Sequence, residues 1–463
     1  MSGFSELPPP RAESLLGQIR AALLQSGRKI IVLDDDPTGT QTMYGISVLT
    51  YWTVEALVSA LRDPNPVTYI LTNSRSLPHE QAAALTLEIA ANLKAAQAQV
   101  GRAVDVISRS DSTLRGHFPT EIDALCDGLA LKPDGIVIVP FFKEGGRYTI
   151  HDVHYVAEGE SLVPAAETEY ARDHYFGYTK SNLRDWVSEK TGGKVNADDV
   201  RSISLEDIRA GGVEQVYERL LEIAGGQYLV VNAAEYSDLE VFALALLRAA
   251  QQGKTFVARS AASYVRVISG LEARPTLRCE ELVQQRGQPG LVVAGSYIRK
   301  STLQIEAALQ LPNTKAVEVS VNNLLDSARH DGEIRQVVEQ VKSGLSGGQD
   351  VVLYTARDLV TGSTQEESLD IGKTVSAALV QIVASVNIRP AWMIAKGGIT
   401  SSDIATKALN VRAAQVLGQI LPGVPVWKTG AESRFPDLTY VVFPGNVGSE
   451  DAIAQAMTIL RCQ

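Results

Sequence analysis

Three consecutive carboxylates, Asp34, Asp35 and Asp36, stand between the apolar run Ile30–Leu33 and the turn residues Pro37-Thr38-Gly39. The run has the β-branched composition of a buried strand, and the proline and glycine that follow mark its carboxyl end. Ligands of open α/β sheets bind just outside strand carboxyl ends. Like charges crowded there repel one another, so the cluster calls for a metal ion, a general base or a grip on a polyhydroxy ligand. Arg75, Arg109, Arg115 and Arg147 also follow expected strands. Several guanidiniums in one cleft would hold a carboxylate or phosphate in bidentate fashion. Asp35, Asp36 and Asp111 would accept from sugar hydroxyls. An anion grip beside hydroxyl acceptors describes a site for a sugar acid or a sugar phosphate.

The second half of the chain carries three glycine turns, each after an expected strand: Gly295-Ser296, Gly397-Gly398 and Gly445-Asn446-Val447-Gly448. Glycine there lets backbone N–H groups approach a phosphate. No Walker A loop is present. The triplets Gly253-Lys254-Thr255 and Gly372-Lys373-Thr374 lack the earlier glycine and sit wrongly relative to strands. A G-x-G-x-x-G fingerprint after a first strand is absent too.

The elements that must position these residues follow a strand, polar turn, helix rhythm. It predicts two α/β domains, each with a mainly parallel sheet flanked by helices, and an active site in the cleft between domains. At 463 residues the chain exceeds one core. The polar stretch 274–290, with two prolines and two glycines, divides a domain at 1–273 from one at 291–463. The net charge of −10 argues against nucleic acid or a membrane surface as partner. Three scattered cysteines form no disulfide framework and no metal-ligand spacing, which fits a reducing cytoplasm. His117, His151, His154 and His174 lack the spacing of a zinc site, and no metal-ligating residue is assigned. The first twenty residues show no secretory leader, and no apolar run is long enough to span a membrane. Oligomeric state is not legible; a homodimer stays open.

Together, Asp35-Asp36-Pro37-Thr38-Gly39, Asn73-Ser74-Arg75, the stretch Asp111–Gly116 (DSTLRG), Gly146-Arg147, Gly295-Ser296 with Gln304, Gly397–Thr400, Pro422–Pro425 and the final glycine turn resemble the four-carbon acid sugar kinase family. The resemblance spans nearly the whole chain. It implies an N-terminal sugar-acid domain, a C-terminal nucleotide domain, and ATP with Mg²⁺ as cofactors. The reaction implied is phosphorylation of a terminal hydroxyl of a small acid such as threonate, erythronate or 3-oxo-tetronate; a branched acid such as 3-oxo-isoapionate is an alternative. By the same resemblance Asp35, Asp36, Arg75, Asp111 and Arg115 contact the acid; Ser74, Ser112 and Arg147 are further candidate contacts, and a carboxylate of Asp35 or Asp36 is expected to accept the attacking hydroxyl's proton. Ser296, Gly397, Gly398, Ile399, Thr400 and Gly445 contact the nucleotide. The chain departs from the family pattern in three places. Ile399 replaces an acidic residue, Asp152 stands near a displaced glycine, and Phe443-Pro444-Gly445-Asn446-Val447-Gly448 stands in place of the lysine and glycines of the last motif, K-x-G-G-F-G. One rival enzyme is a haloacid-dehalogenase-like phosphatase, since Asp34-x-Asp36-x-Thr38 matches its nucleophile motif. A non-enzymatic sugar-acid sensor is the other rival; it would not need the glycine turns.

Overall fold

A computed structural model describes residues 7–282, 287–295, 298–357, 365–445 and 447–462, without the side chains of 365–369. The chain forms two compact units. The first comprises residues 1–39 and 51–273, and the second 40–50 and 274–463.

In the first unit seven strands pair in parallel. Their spatial order is Val67–Leu71, Lys29–Asp34, Val104–Arg109, Phe256–Ser260, Gly135–Val139, Gln227–Val231 and Arg201–Ile203. Every residue of Lys29–Asp34 and of Val67–Leu71 is buried, as parallel strands covered on both faces require. The chain leaves Lys29–Asp34 for the strand on one side and then crosses to Val104–Arg109 on the other. Connections therefore diverge between those two strands, and a crevice opens at their carboxyl ends. Asp34 and Arg109 are register partners there.

A three-stranded antiparallel sheet, Arg147–Ile150, Val153–Glu158 and Ser161–Pro164, interrupts the α/β rhythm after Gly135–Val139. His151 and Asp152, both at positive φ, form its first turn, so His151 and His154 share no helical face.

In the second unit the parallel order is Thr314–Val319, Asp350–Thr355, Leu291–Ala294, Trp392–Lys396 and Thr439–Phe443. The antiparallel hairpin Val424–Thr429 with Ala413–Leu421 extends it, and Ile46–Leu49 pairs with the latter. Pro422–Pro425 is therefore partly the turn of this hairpin, with Gly423 at φ 77°. Here the connections diverge between Leu291–Ala294 and Trp392–Lys396. Gly295 and Gly397 follow those two strands.

The expectation of no disulfide is corrected. Cys279 and Cys462 are bonded, with Cα atoms 5.2 Å apart, inside the range a disulfide spans. A separation of 183 residues gives no sequence cue to the pair. No helix of the described residues is long and apolar enough to cross a membrane.

Candidate active site

The crevice of the first unit is filled by alternating carboxylates and guanidiniums. Asp35 accepts from Arg75 at both oxygens, from Nε at 3.0 Å and Nη2 at 2.5 Å, the geometry that makes arginine–carboxylate pairs strong and directional. Asp36 Oδ2 lies 3.7 Å from Arg75 Nη1, and its Oδ1 accepts from the backbone N–H and hydroxyl of Thr38. Of the two expected bases, Asp36 is the accessible one: its side chain is 19% exposed against 3% for Asp35. Arg109 reaches Asp34 at 3.3 Å and Asp35 at 3.8 Å. Asp111 accepts from Arg115 Nε at 2.6 Å and from the Thr113 hydroxyl, and Arg115 also faces Asp173 at 3.6 Å. The guanidiniums of Arg115 and Arg147 both stack on the Tyr170 ring, at 5.3 and 5.4 Å.

Asp35, Asp36, Arg75, Asp111, Arg115 and Arg147 thus gather in one region of the first unit. The two serines behave differently. Ser74 is buried and its hydroxyl donates to Glu121. Ser112 is buried, and its carbonyl accepts from His154. Asp34 is 1% exposed. Burial pushes its carboxyl up to about 8, against the pull of Arg109. A carboxyl this buried and turned onto Arg109 is not placed to attack a phosphate, which weighs against the phosphatase reading.

Burial also raises Glu121, to about 7, with Asp35 adding to the rise. Burial opposes ionisation of Asp111 too. There Arg115, Arg75 and the Thr113 hydroxyl outweigh it and hold the carboxyl well below the usual range. Arg75, Arg109 and Arg115 are each held by a carboxyl, at Asp35, Asp34 and Asp111 respectively.

Four residues of this site carry no motif. Arg259 is 1% exposed, lies 5.0 Å over the Trp186 ring, and leaves Nε and Nη1 without a partner among the described residues. Burial lowers it to about 10. Its Nη2 donates to the carbonyl of Arg115. His154 Nε2 bonds the carbonyl of Ser112 at 2.7 Å, and the Tyr178 hydroxyl donates to that of Thr113 at 2.9 Å. Three side chains from distant elements thus pin the carbonyls of Ser112, Thr113 and Arg115 in the Asp111–Gly116 loop. Glu121 completes the set.

In the second unit the glycine turns converge. A Cβ on Gly295 would lie 3.1 Å from the Thr400 hydroxyl. Gly397, at φ 100°, donates from its N–H to the carbonyl of Phe443 at 2.8 Å. The helix after it, Gly398–Asp403, is six residues long and continues as a π-helical turn at Ile404–Ala408. Ile399 is exposed. Gln304 is fully buried and donates to the carbonyls of Val447 and Ser449, which fixes the last turn. Gly295, Gly397, Thr400 and Gly445 thus flank neighbouring strand ends. Ser296 lies outside the described residues.

The family model described as a sugar-binding N-terminal domain matches residues 30–268, and that described as a nucleotide-binding C-terminal domain matches 291–453. The chain belongs to the four-carbon acid sugar kinase family. Among its relatives in that family, a D-erythronate kinase of Heliobacterium modesticaldum is 26% identical over 85% of this chain and 83% of its own. A D-threonate kinase of Bordetella bronchiseptica is 26% identical over 94% and 98%. A 3-oxo-tetronate kinase of Pseudomonas savastanoi pv. phaseolicola is 26% identical over 76% and 77%. The fold is shared with a solved Haemophilus influenzae protein of the DUF1537 family. That structure has a TM-score of 0.63 and 20% identity, over 93% of this chain and all of the other.

Proposed function

We propose that the protein transfers the γ-phosphoryl group of ATP to the terminal hydroxyl of a four-carbon sugar acid such as threonate, erythronate or 3-oxo-tetronate. The observation that carries this reading is the Asp35–Arg75 and Asp111–Arg115 pair system at the sheet crevice of the first unit. Arg75 and Arg115, held by carboxylates, grip the acid's carboxylate, and Asp36 accepts the proton of the attacking hydroxyl. The hydroxyl oxygen bonds to the γ-phosphorus as the bond from that phosphorus to the β–γ bridging oxygen breaks, and ADP leaves. The nucleotide sits at the glycine turns of the second unit, at Gly295, Gly397, Gly398, Ile399, Thr400 and Gly445. Phosphoryl transfer of this kind needs positioning and charge neutralisation more than covalent chemistry.

Mg²⁺ enters with the nucleotide as MgATP. Such an ion keeps waters and phosphate oxygens and needs only one or two carboxylates. Among the described residues no group of three or more His, Cys, Asp or Glu forms a metal cage.

The test is ATP consumption against a panel of four- and five-carbon aldonic and oxo-aldonic acids, including 3-oxo-isoapionate, with mass detection of product. Gain of one phosphoryl group by one acid is the expected result. Asp36→Asn then abolishes turnover and leaves ATP binding intact. No turnover with any acid, or full activity in Asp36→Asn, refutes the reading or the base assignment respectively.

A further inference from the structure

Lys396 is a lysine in an unusual place. It ends the Trp392–Lys396 strand, every residue of which is buried, and is itself 0% exposed. Its Nζ donates to the carbonyls of Pro444 at 2.6 Å and Gly445 at 2.9 Å, and lies 4.6 Å from the centre of the Phe443 ring. Among the described residues it has no carboxylate partner. An unpaired buried ammonium is costly, and proteins retain one where the charge has a use or where the amine can shed its proton. The position is the crevice of this sheet: Lys396 is the register partner of Ala294 on one side and of Phe443 on the other. Two carbonyls of the last glycine turn point at the ammonium. The N–H groups of Gly445, Val447 and Gly448 in the same turn donate to no described residue. A turn with its carbonyls drawn to one side and its amides free is arranged to receive an anion.

We infer that Lys396 is the positioning residue of the nucleotide-phosphate site: it draws the carbonyls of Pro444 and Gly445 to itself, away from the N–H groups of Gly445, Val447 and Gly448, and supplies the counter-charge for the polyphosphate. The inference rests on the nucleotide reading of the second unit given above. It also accounts for Phe443, which stands where the family motif has lysine. Lys396 lies one strand across from that position, about 5 Å away, as its register partner. Burial, with Lys300 as the charged neighbour that adds to it, lowers the Lys396 ammonium to about 7. A bound polyphosphate would return its proton.

The experiment is calorimetric titration of the full chain with MgATP at about pH 8, in buffers of different ionisation enthalpy, for wild type, Lys396→Met, Lys396→Gln and the double variant Lys396→Met/Phe443→Lys. Wild type is expected to take up a substantial fraction of a proton on binding. Lys396→Met loses that uptake and binds ATP at least ~10-fold more weakly, the loss expected when one close charge on a phosphate is removed. Affinity for the sugar acid stays within ~2-fold and serves as the reporter of folding. Lys396→Gln keeps N–H donation to the carbonyls without the charge, shows the same loss, and carries the test if the Met variant does not fold. The double variant, with the cation on the neighbouring strand, recovers at least half of the lost binding free energy. Unchanged ATP affinity and proton uptake in both single variants overturn the inference and leave the nucleotide reading standing. Failure of wild type to bind ATP at all overturns the reading itself, and the inference with it.

Discussion

Gly39 lies against the Asp34 carboxyl: a Cβ built on it would come within 1.9 Å of Oδ1. Glycine is required here by space, and the atom in the way is a buried carboxyl held by Arg109. Gly39→Ala must therefore move Asp34, and with it the strand end that carries Asp35 and Asp36. The expected outcome is a loss of about 1–3 kcal/mol in stability, as for other overpacked sites, and at least ~10-fold weaker binding of the sugar acid. Urea unfolding and calorimetry check both; a variant as stable and as active as wild type would show that Asp34 has room to move.

The same carboxyl makes a pH prediction. In the folded chain Asp34 keeps its proton up to about pH 8, because burial disfavours the charge; the ordinary value is 3.8. Between those values the folded state binds the proton and the unfolded state has released it. The stability Asp34 contributes is complete below about 4 and is lost as the pH rises through about 8. Glu121, raised from 4.5 to about 7, acts in the same direction over a narrower window. Asp34→Asn removes one titration while keeping shape. The fall in stability from pH 5 to pH 8.5 should shrink by on the order of 2–4 kcal/mol. An unaltered slope in unfolding experiments would assign the pH dependence elsewhere.

Much of this was legible in the sequence, and the reason is local. Asp35, Arg75, Asp111 and Arg115 sit at strand ends flanked by turn residues, and a strand–turn–helix rhythm marks such places without knowledge of the fold. The glycine turns were legible for the same reason. What escaped was whatever depends on distant partners. Arg259 reads as an ordinary strand residue until its guanidinium is seen under Asp111–Gly116. His154 reads as one of four histidines without ligand spacing, and lies in a meander whose short strands break the α/β rhythm. Lys396 reads as the flank of a glycine turn; only the register places it beside Phe443, at the head of the last glycine turn. Cys279 and Cys462 carry no spacing signal at all.

His154 tests whether the ties on the Asp111–Gly116 loop matter. It is fully buried, and burial lowers it to about 4, so the imidazole is neutral across the working range. Its two nitrogens bond the Ser112 carbonyl and the Thr149 hydroxyl. His154→Leu fills the space and drops both bonds, which leaves a carbonyl without its donor. We expect kcat/KM for the acid to fall ~10–100-fold while ATP affinity holds within ~2-fold, since a misplaced contact group costs that much. The pH–rate profile of wild type between 6 and 8 should show no step from this residue. A variant with normal kinetics would mean that Tyr178 and Arg259 hold the loop unaided.

Arg75 offers the sharpest test of how the acid is held. Asp35 takes both of its bonds from one edge of the guanidinium, Nε and Nη2, while Nη1 faces Asp36 at 3.7 Å. Burial works against the charge, yet Asp35, Asp36 and Asp111 together raise the guanidinium well above its ordinary value. It is therefore a permanent cation whose orientation is set by Asp35. Lysine keeps the charge but is a point donor on a flexible stem and cannot reproduce the two-bond hold. If charge alone bound the acid, Arg75→Lys would change KM little. If oriented donors bind it, Arg75→Lys raises the KM of the acid at least ~10-fold, in line with loss of one charged hydrogen bond. The KM for ATP should stay within ~2-fold in either case, because the glycine turns belong to the other unit. Steady-state kinetics with each substrate varied in turn separate the two outcomes. A rise in the KM of ATP larger than that of the acid would place Arg75 on the phosphate and reverse its assignment.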